Sequence, residues 1–133
     1  MESTIILEPY ERYEHREEGR LKKVEYYDRN MQLRQASELL VDETSKEYII
    51  NVVFRENLVK FVSINRGNGA VESMSFYKSG VMSRHSNFRY PGGPGTKTGY
   101  IVYFYEDGSI KEEFAHNYGH ITLHQTYEKG SFV

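Results

Sequence analysis

Residues 103–114 read YFYEDGSIKEEF: three aromatics run into an Asp-Gly pair, and a charged run hung on Ile110 and Phe114 follows. Aromatics ahead of a Gly-containing reversal mark a β-hairpin, because Gly enters positive φ without a Cβ penalty and flat rings pack well on a pleated surface. Whether this is one local hairpin or one copy of a larger unit decides the fold. Searching outward for an aromatic, two or three residues, a Gly or Asn and then an apolar residue finds YKSGVM from Tyr77 and YEKGSF from Tyr127. Weaker copies are FRENLV from Phe54, with Asn57 in the Gly place, and YDRNMQL from Tyr27, with Asn30 there. The leading aromatics at 27, 54, 77, 105 and 127 are therefore separated by 27, 23, 28 and 22 residues.

A period of about 23 residues holds two strands of ordinary length, two turns and little else, so each unit is expected to be a hairpin. An isolated hairpin is marginal in water, and successive units must lie side by side and share an apolar face. A further half-unit, EEGRLKKVEYY, with Gly19 followed by Leu21, fits a capping hairpin at the start of the sheet. The expected fold is all-β, an antiparallel meander of repeated β-hairpins in an open or curled sheet. Alternation supports it: Tyr48, Ile50, Val52 and Phe54 fall on one face with Ile49, Asn51 and Val53 on the other, and Leu58 to Asn65, Val71 to Tyr77, Tyr100 to Tyr105 and Ile121 to Tyr127 alternate similarly. One segment is ambiguous. MQLRQASELLV carries Leu33, Ala36 and Leu40 at helical spacing, so one short helix near 31–40 stays open beside a strand, which the repeat slightly favours.

The pattern Y-x-x-G-x-[ILMF], continued in the Tyr105 copy by Lys111 and Glu112, resembles the MORN-variant repeat of the YwqK-family antitoxins. The resemblance covers Tyr27 to Val133; the copies at Tyr77, Tyr105 and Tyr127 keep the Gly, whereas Asn30 and Asn57 depart from the pattern. It implies a protein-binding role as an antitoxin or immunity protein.

At 133 residues the chain is expected to form a single domain, 1–133, with enough core to fold without staples. The absence of cysteine excludes disulfides and thiolate metal sites. The start, MESTIILEPYERYEHREEG, lacks the charged and long apolar regions of a signal peptide, and no apolar run reaches membrane-spanning length. A cytoplasmic location without membrane attachment is the expectation. Net charge is −2, which argues against indiscriminate nucleic-acid binding, yet it is unevenly spread. Residues 55–97 hold seven Lys/Arg (Arg55, Lys60, Arg66, Lys78, Arg84, Arg89, Lys97) against Glu56 and Glu72, while both ends are acidic.

Four motifs that suggest chemistry fail on spacing. YPGGPGTKTG lacks the Gly that a phosphate-binding loop needs before its Lys, since Thr96 precedes Lys97, and Pro91 and Pro94 remove backbone donors; it reads as an inserted connection. His116, His120 and His124 lie four apart, but Gly119 and the β-branched run after it point to a turn and strand, where such residues stand too far apart to share a metal. Adjacent acids such as Glu17–Glu18 and Glu112–Glu113 point to opposite faces of a strand and cannot flank one substrate. SRHS around His85 shows no acidic orienter in sequence. No cofactor, metal or catalytic constellation is expected. The function read from the residues is a non-enzymatic protein-binding module, with Arg84, Arg89, Tyr90, Tyr103 and Tyr105 as contact residues, since exposed Tyr beside Arg is the composition of protein interfaces. Alternatives are a small-molecule or nucleotide binder in a curled sheet or barrel, and a binder of single-stranded nucleic acid. Open edge strands would allow a homodimer.

Overall fold

The computed structural model describes residues 11–66 and 69–130; residues 1–10, which carry most of the N-terminal reading, and 131–133, which finish the last repeat copy, lie outside the described residues. Ten antiparallel strands form one sheet in chain order: β1 (Glu11–Glu17), β2 (Arg20–Tyr27), β3 (Leu33–Val41), β4 (Glu47–Arg55), β5 (Leu58–Asn65), β6 (Val71–Phe76), β7 (Met82–Arg89), β8 (Thr98–Phe104), β9 (Ile110–Asn117) and β10 (His120–Thr126). β1 and β10 are the two edges and do not pair, so the sheet is an open meander and has no barrel mouth. No described residue is helical.

The segment that left helix and strand open is β3. Ala36 stands opposite Val52, and Ser37 donates a 2.5 Å hydrogen bond to Asn51 Oδ1 on the facing strand. Pairing with β2 and β4 supplies backbone partners and packing on both sides, which outweighs the helix propensity of the local sequence.

The repeat has a direct structural meaning. Each unit contains two strands, so the reversals near Asn30, Asn57, Gly80 and Gly108 all fall at the same end of the sheet, hereafter the repeat end. The two long intervals have separate causes. Between Tyr27 and Phe54 the nine-residue strands β3 and β4 lengthen the unit. Between Tyr77 and Tyr105 the YPGGPGTKTG insert forms the connection 90–97 from β7 to β8.

Two kinds of turn recur, each set by local chemistry. Glu18–Gly19, Glu56–Asn57 and Tyr118–Gly119 are two-residue links with positive φ at both positions, as a type I′ turn requires. The other kind closes over three residues with the last left-handed: Gly80 (φ 92) and Gly108 (φ 90) take that place in their copies, and Met31 (φ 59) takes it in the first. The residue in the Gly place of the first copy is thus Met31, one position beyond Asn30. Asp28, one of few buried polar groups, rescues this turn by accepting the Asn30 and Gln32 N–H groups on one carboxylate oxygen.

Pairing registers sort the side chains onto two faces. One carries Ile50, Val52, Val62, Ile64, Met74 and Val102 across the central strands. Along the middle of the other runs a row of Val24, Ser37, Asn51, Ser63, Ser73, Ser86, Ile101 and Phe114. Its small polar members bond to one another, Asn51 to Ser63 at 3.4 Å and Ser73 to Ser86 at 2.7 Å, which satisfies hydroxyls that are buried at Ser73 and Ser86. With no second layer over either face, Val24 and Phe88 are the only buried hydrophobic side chains among the described residues.

A candidate cationic and aromatic interface

The five residues expected to contact a partner separate into three groups. Arg84 and Tyr103 are direct cross-strand partners on β7 and β8, on the serine-bearing face near the repeat end. Arg89 and Tyr90 lie at the far end of β7, and Arg89 pairs with Thr98 on the opposite, aliphatic face, about 17 Å along the strand from Arg84. Tyr105 sits in the β8–β9 turn, where its hydroxyl donates to the Tyr127 carbonyl at 2.9 Å and Lys111 Nζ lies 5.8 Å from its ring centroid. The structure gives Tyr105 a place in the turn framework and leaves Arg84 with Tyr103 as the juxtaposed pair.

Around that pair several cations gather on β4 to β7, while Glu112 of β9 stands on the other side of Tyr103. Val53, Phe61, Ser75, Arg84 and Tyr103 form one continuous row from β4 to β8. Arg55, Lys60 and Ser83 join Val53, Phe61, Ser75 and Phe76 around a depression of about 430 Å3. Lys78 lines a neighbouring, smaller hollow together with Arg55 and Lys60, where Glu56 is the acid present. Arg55, Lys60, Lys78 and Arg84 make no ion pair among the described residues; Arg84 donates one 3.3 Å hydrogen bond to Ser73 Oγ. Tyr103 is fixed by an edge-on contact with Phe114, ring centroids 6.5 Å apart.

The basic segment 55–97 is therefore divided. Its other cations, Arg66, Arg89 and Lys97, lie at the far end, where Arg66 meets Glu72 at 3.9 Å and covers the Tyr48 ring and Lys97 stands 4.1 Å above the Phe88 ring. The Lys97 contact also shows what the Gly-rich insert does. Its chain folds on itself through Thr96, whose hydroxyl donates to Gly93 O and accepts from Gly92 N, and it ties to the β9–β10 turn by Gly119 N donating to Lys97 O at 2.9 Å.

His85 corrects the sequence reading. Its Nε2 stands 2.7 Å from Glu72 Oε2, an acidic partner supplied by β6 and therefore invisible in the local sequence. The hydroxyls of Ser73 and Ser86 lie on the opposite face from this pair. Glu112 and Glu113 do diverge as expected: Glu112 holds His124 at 2.7 Å, and Glu113 accepts from the Tyr127 hydroxyl at 2.5 Å. That bond is the main reason the Tyr127 phenol titrates above its ordinary value. His124 stacks on Phe114 and His116 stands edge-on to Phe88. No cluster of three His, Asp or Glu able to hold a metal occurs among the described residues, nor is there a helix long and apolar enough to cross a membrane.

Sequence reasoning missed the serine row and the isolation of the four repeat-end cations. Superposing the repeat copies would have revealed the first, since Asn51, Ser63, Ser73 and Ser86 recur at strand centres; the second depends on which strands neighbour one another.

No family model and no curated protein matches the chain. Among solved structures it is similar to a protein of unknown function from Bacteroides fragilis NCTC 9343, with 12% sequence identity and a TM-score of 0.37, the match covering 91% of this chain and 94% of that one.

Proposed function

We propose that the chain is a non-enzymatic protein-binding module whose repeat end docks an acidic surface of another protein, acting as an antitoxin or immunity-type inhibitor by occlusion. The observation that carries this reading is the group Arg55, Lys60, Lys78 and Arg84, four cations without an acidic partner among the described residues, beside Phe61 and Tyr103 on an uncovered sheet. Unpaired cations steer an acidic partner during encounter, and the flanking rings lengthen residence once docked. The resemblance of the Tyr77, Tyr105 and Tyr127 copies to the YwqK-family repeat supports the antitoxin assignment.

The test is co-expression with the products of neighbouring genes, followed by binding measurements on the complex recovered. Arg84→Glu should weaken binding about 10- to 100-fold and slow association, with the wild-type association rate falling as salt rises. Absence of any neighbouring partner, or an affinity indifferent to Arg84→Glu, would exclude the reading. The same depression favours a small anion as a second reading. Thermal shift against an anionic metabolite panel separates the two, since a small ligand raises the melting temperature by itself.

A further inference from the structure

We propose that β10 is a docking edge for a second copy of this chain, two β10 strands pairing antiparallel about a two-fold axis to join the two sheets. Every second residue of an edge strand directs its N–H and C=O groups away from the sheet, and only another strand satisfies them in series. Among the described residues β10 pairs with β9 alone.

The two edges of this sheet are treated very differently. β1, ERYEHRE, holds five charged residues in seven, laced by contacts from Arg12 and Arg16 to Glu14 and from His15 to Glu25. That is the arrangement by which edge strands repel pairing. β10, HITLHQT, has no Lys, Arg, Asp, Glu, Pro or Gly, and all seven residues are exposed, Ile121 at 60% and Leu123 at 43%. The acids beneath it belong to β9, one strand in from the edge, and are engaged on their own chain, Glu112 by His124 and Glu113 by Tyr127.

These features point to a second copy of the chain. Pairing identical strands antiparallel sets members of one strand opposite members of the same set, and in β10 no formally charged residues meet. Joining β10 to β1 of another copy would be heterologous and open-ended, and the charges on β1 oppose it. Pairing β10 with β10 leaves a guarded β1 at both outer edges, so growth stops at two chains. The inference is independent of the proposed function, because the cationic interface lies on β4 to β8.

Sedimentation velocity over a concentration series should show a monomer–dimer equilibrium. Leu123→Lys should raise the dissociation constant at least about tenfold while leaving the circular dichroism spectrum unchanged. Because the chain lacks cysteine, single Ile121→Cys, Leu123→Cys and Gln125→Cys variants report on the junction: at least one should form a disulfide-linked dimer on mild oxidation, and Tyr13→Cys on β1 should not. A monomer at every concentration, a dimer indifferent to Leu123→Lys, cross-linking through Tyr13→Cys alone, or open-ended assemblies would each overturn the proposal.

Discussion

Asp28, Asp42 and Asp107 stand in three separate turns and do closely related work. Each carboxylate accepts hydrogen bonds from turn groups: Gln32 and Asn30 N–H for Asp28, the Thr44 hydroxyl and Lys46 N–H for Asp42, the Ser109 hydroxyl and N–H for Asp107. These donors favour the charged form, and all three carboxyls titrate below the ordinary aspartate value of 3.8. A group with a depressed folded-state pKa contributes stability that is complete above its unfolded value and lost as pH falls through the folded one. The melting temperature should therefore not vary with pH through these groups near neutrality and should fall on acidification below 3.8, with Asp28→Ala both lowering it at pH 7, by about 3–6 °C, and blunting the acid limb. An acid limb unchanged in Asp28→Ala would show that this carboxylate does not control it. Met31 presents the opposite case, an L-residue held at φ 59 where the Tyr77 and Tyr105 copies have Gly, and 55% exposed. Met31→Gly should stabilise the protein by about 1 kcal/mol in urea unfolding. Local sequence gave no warning of this strain, because Asn30 is the residue whose own chemistry suits a reversal and the three-residue closure shifts the left-handed position by one.

At the scale of the hairpin, two of the leading tyrosines tie their unit to the next one. The Tyr77 hydroxyl donates to the Phe104 carbonyl at 2.6 Å, and the Tyr105 hydroxyl to the Tyr127 carbonyl at 2.9 Å. These two rings thus span from their own unit to the backbone of the next, whereas the Tyr27 and Tyr127 hydroxyls donate to Glu25 and Glu113. Tyr77→Phe and Tyr105→Phe should each cost about 1 kcal/mol, measured by urea unfolding, since the ring stays and one part-buried hydrogen bond goes. Tyr105→Phe should leave partner binding within about twofold if the hydroxyl acts only in the framework. Strands with alternating apolar residues, β4, β5 and β8 among them, were legible because their pattern is that of a half-covered strand. β7, MSRHSNFR, was not legible by that rule: its middle holds Arg84, His85 and Ser86, whose partners Tyr103, Glu72 and Ser73 come from the strands on either side. The repeat alone implied its existence.

For the whole molecule, every strand contacts only its neighbours in sequence, so the sheet is close to one-dimensional and its stability is expected to be a sum of hairpin and interface contributions. Amide exchange should be slowest in β4 to β7 and quicken toward β1 and β10, the β10 amides slowing with protein concentration if the second copy docks there. Uniform protection across all ten strands would contradict this graded picture. The chain alone determined the order of the strands, their antiparallel sense and the alignment of the repeat turns at one end, because those follow from residue periodicity and turn chemistry within 30 residues or so. It also located a basic segment. Only the tertiary structure decided that this segment divides between two ends, that Arg84 meets Tyr103 while Arg89 does not, that His85 gains Glu72, and that β10 pairs with β9 alone among the described residues. The physical reason is that these depend on cross-strand register and on where the sheet stops, and a one-residue slip in register moves every side chain of a strand to the other face.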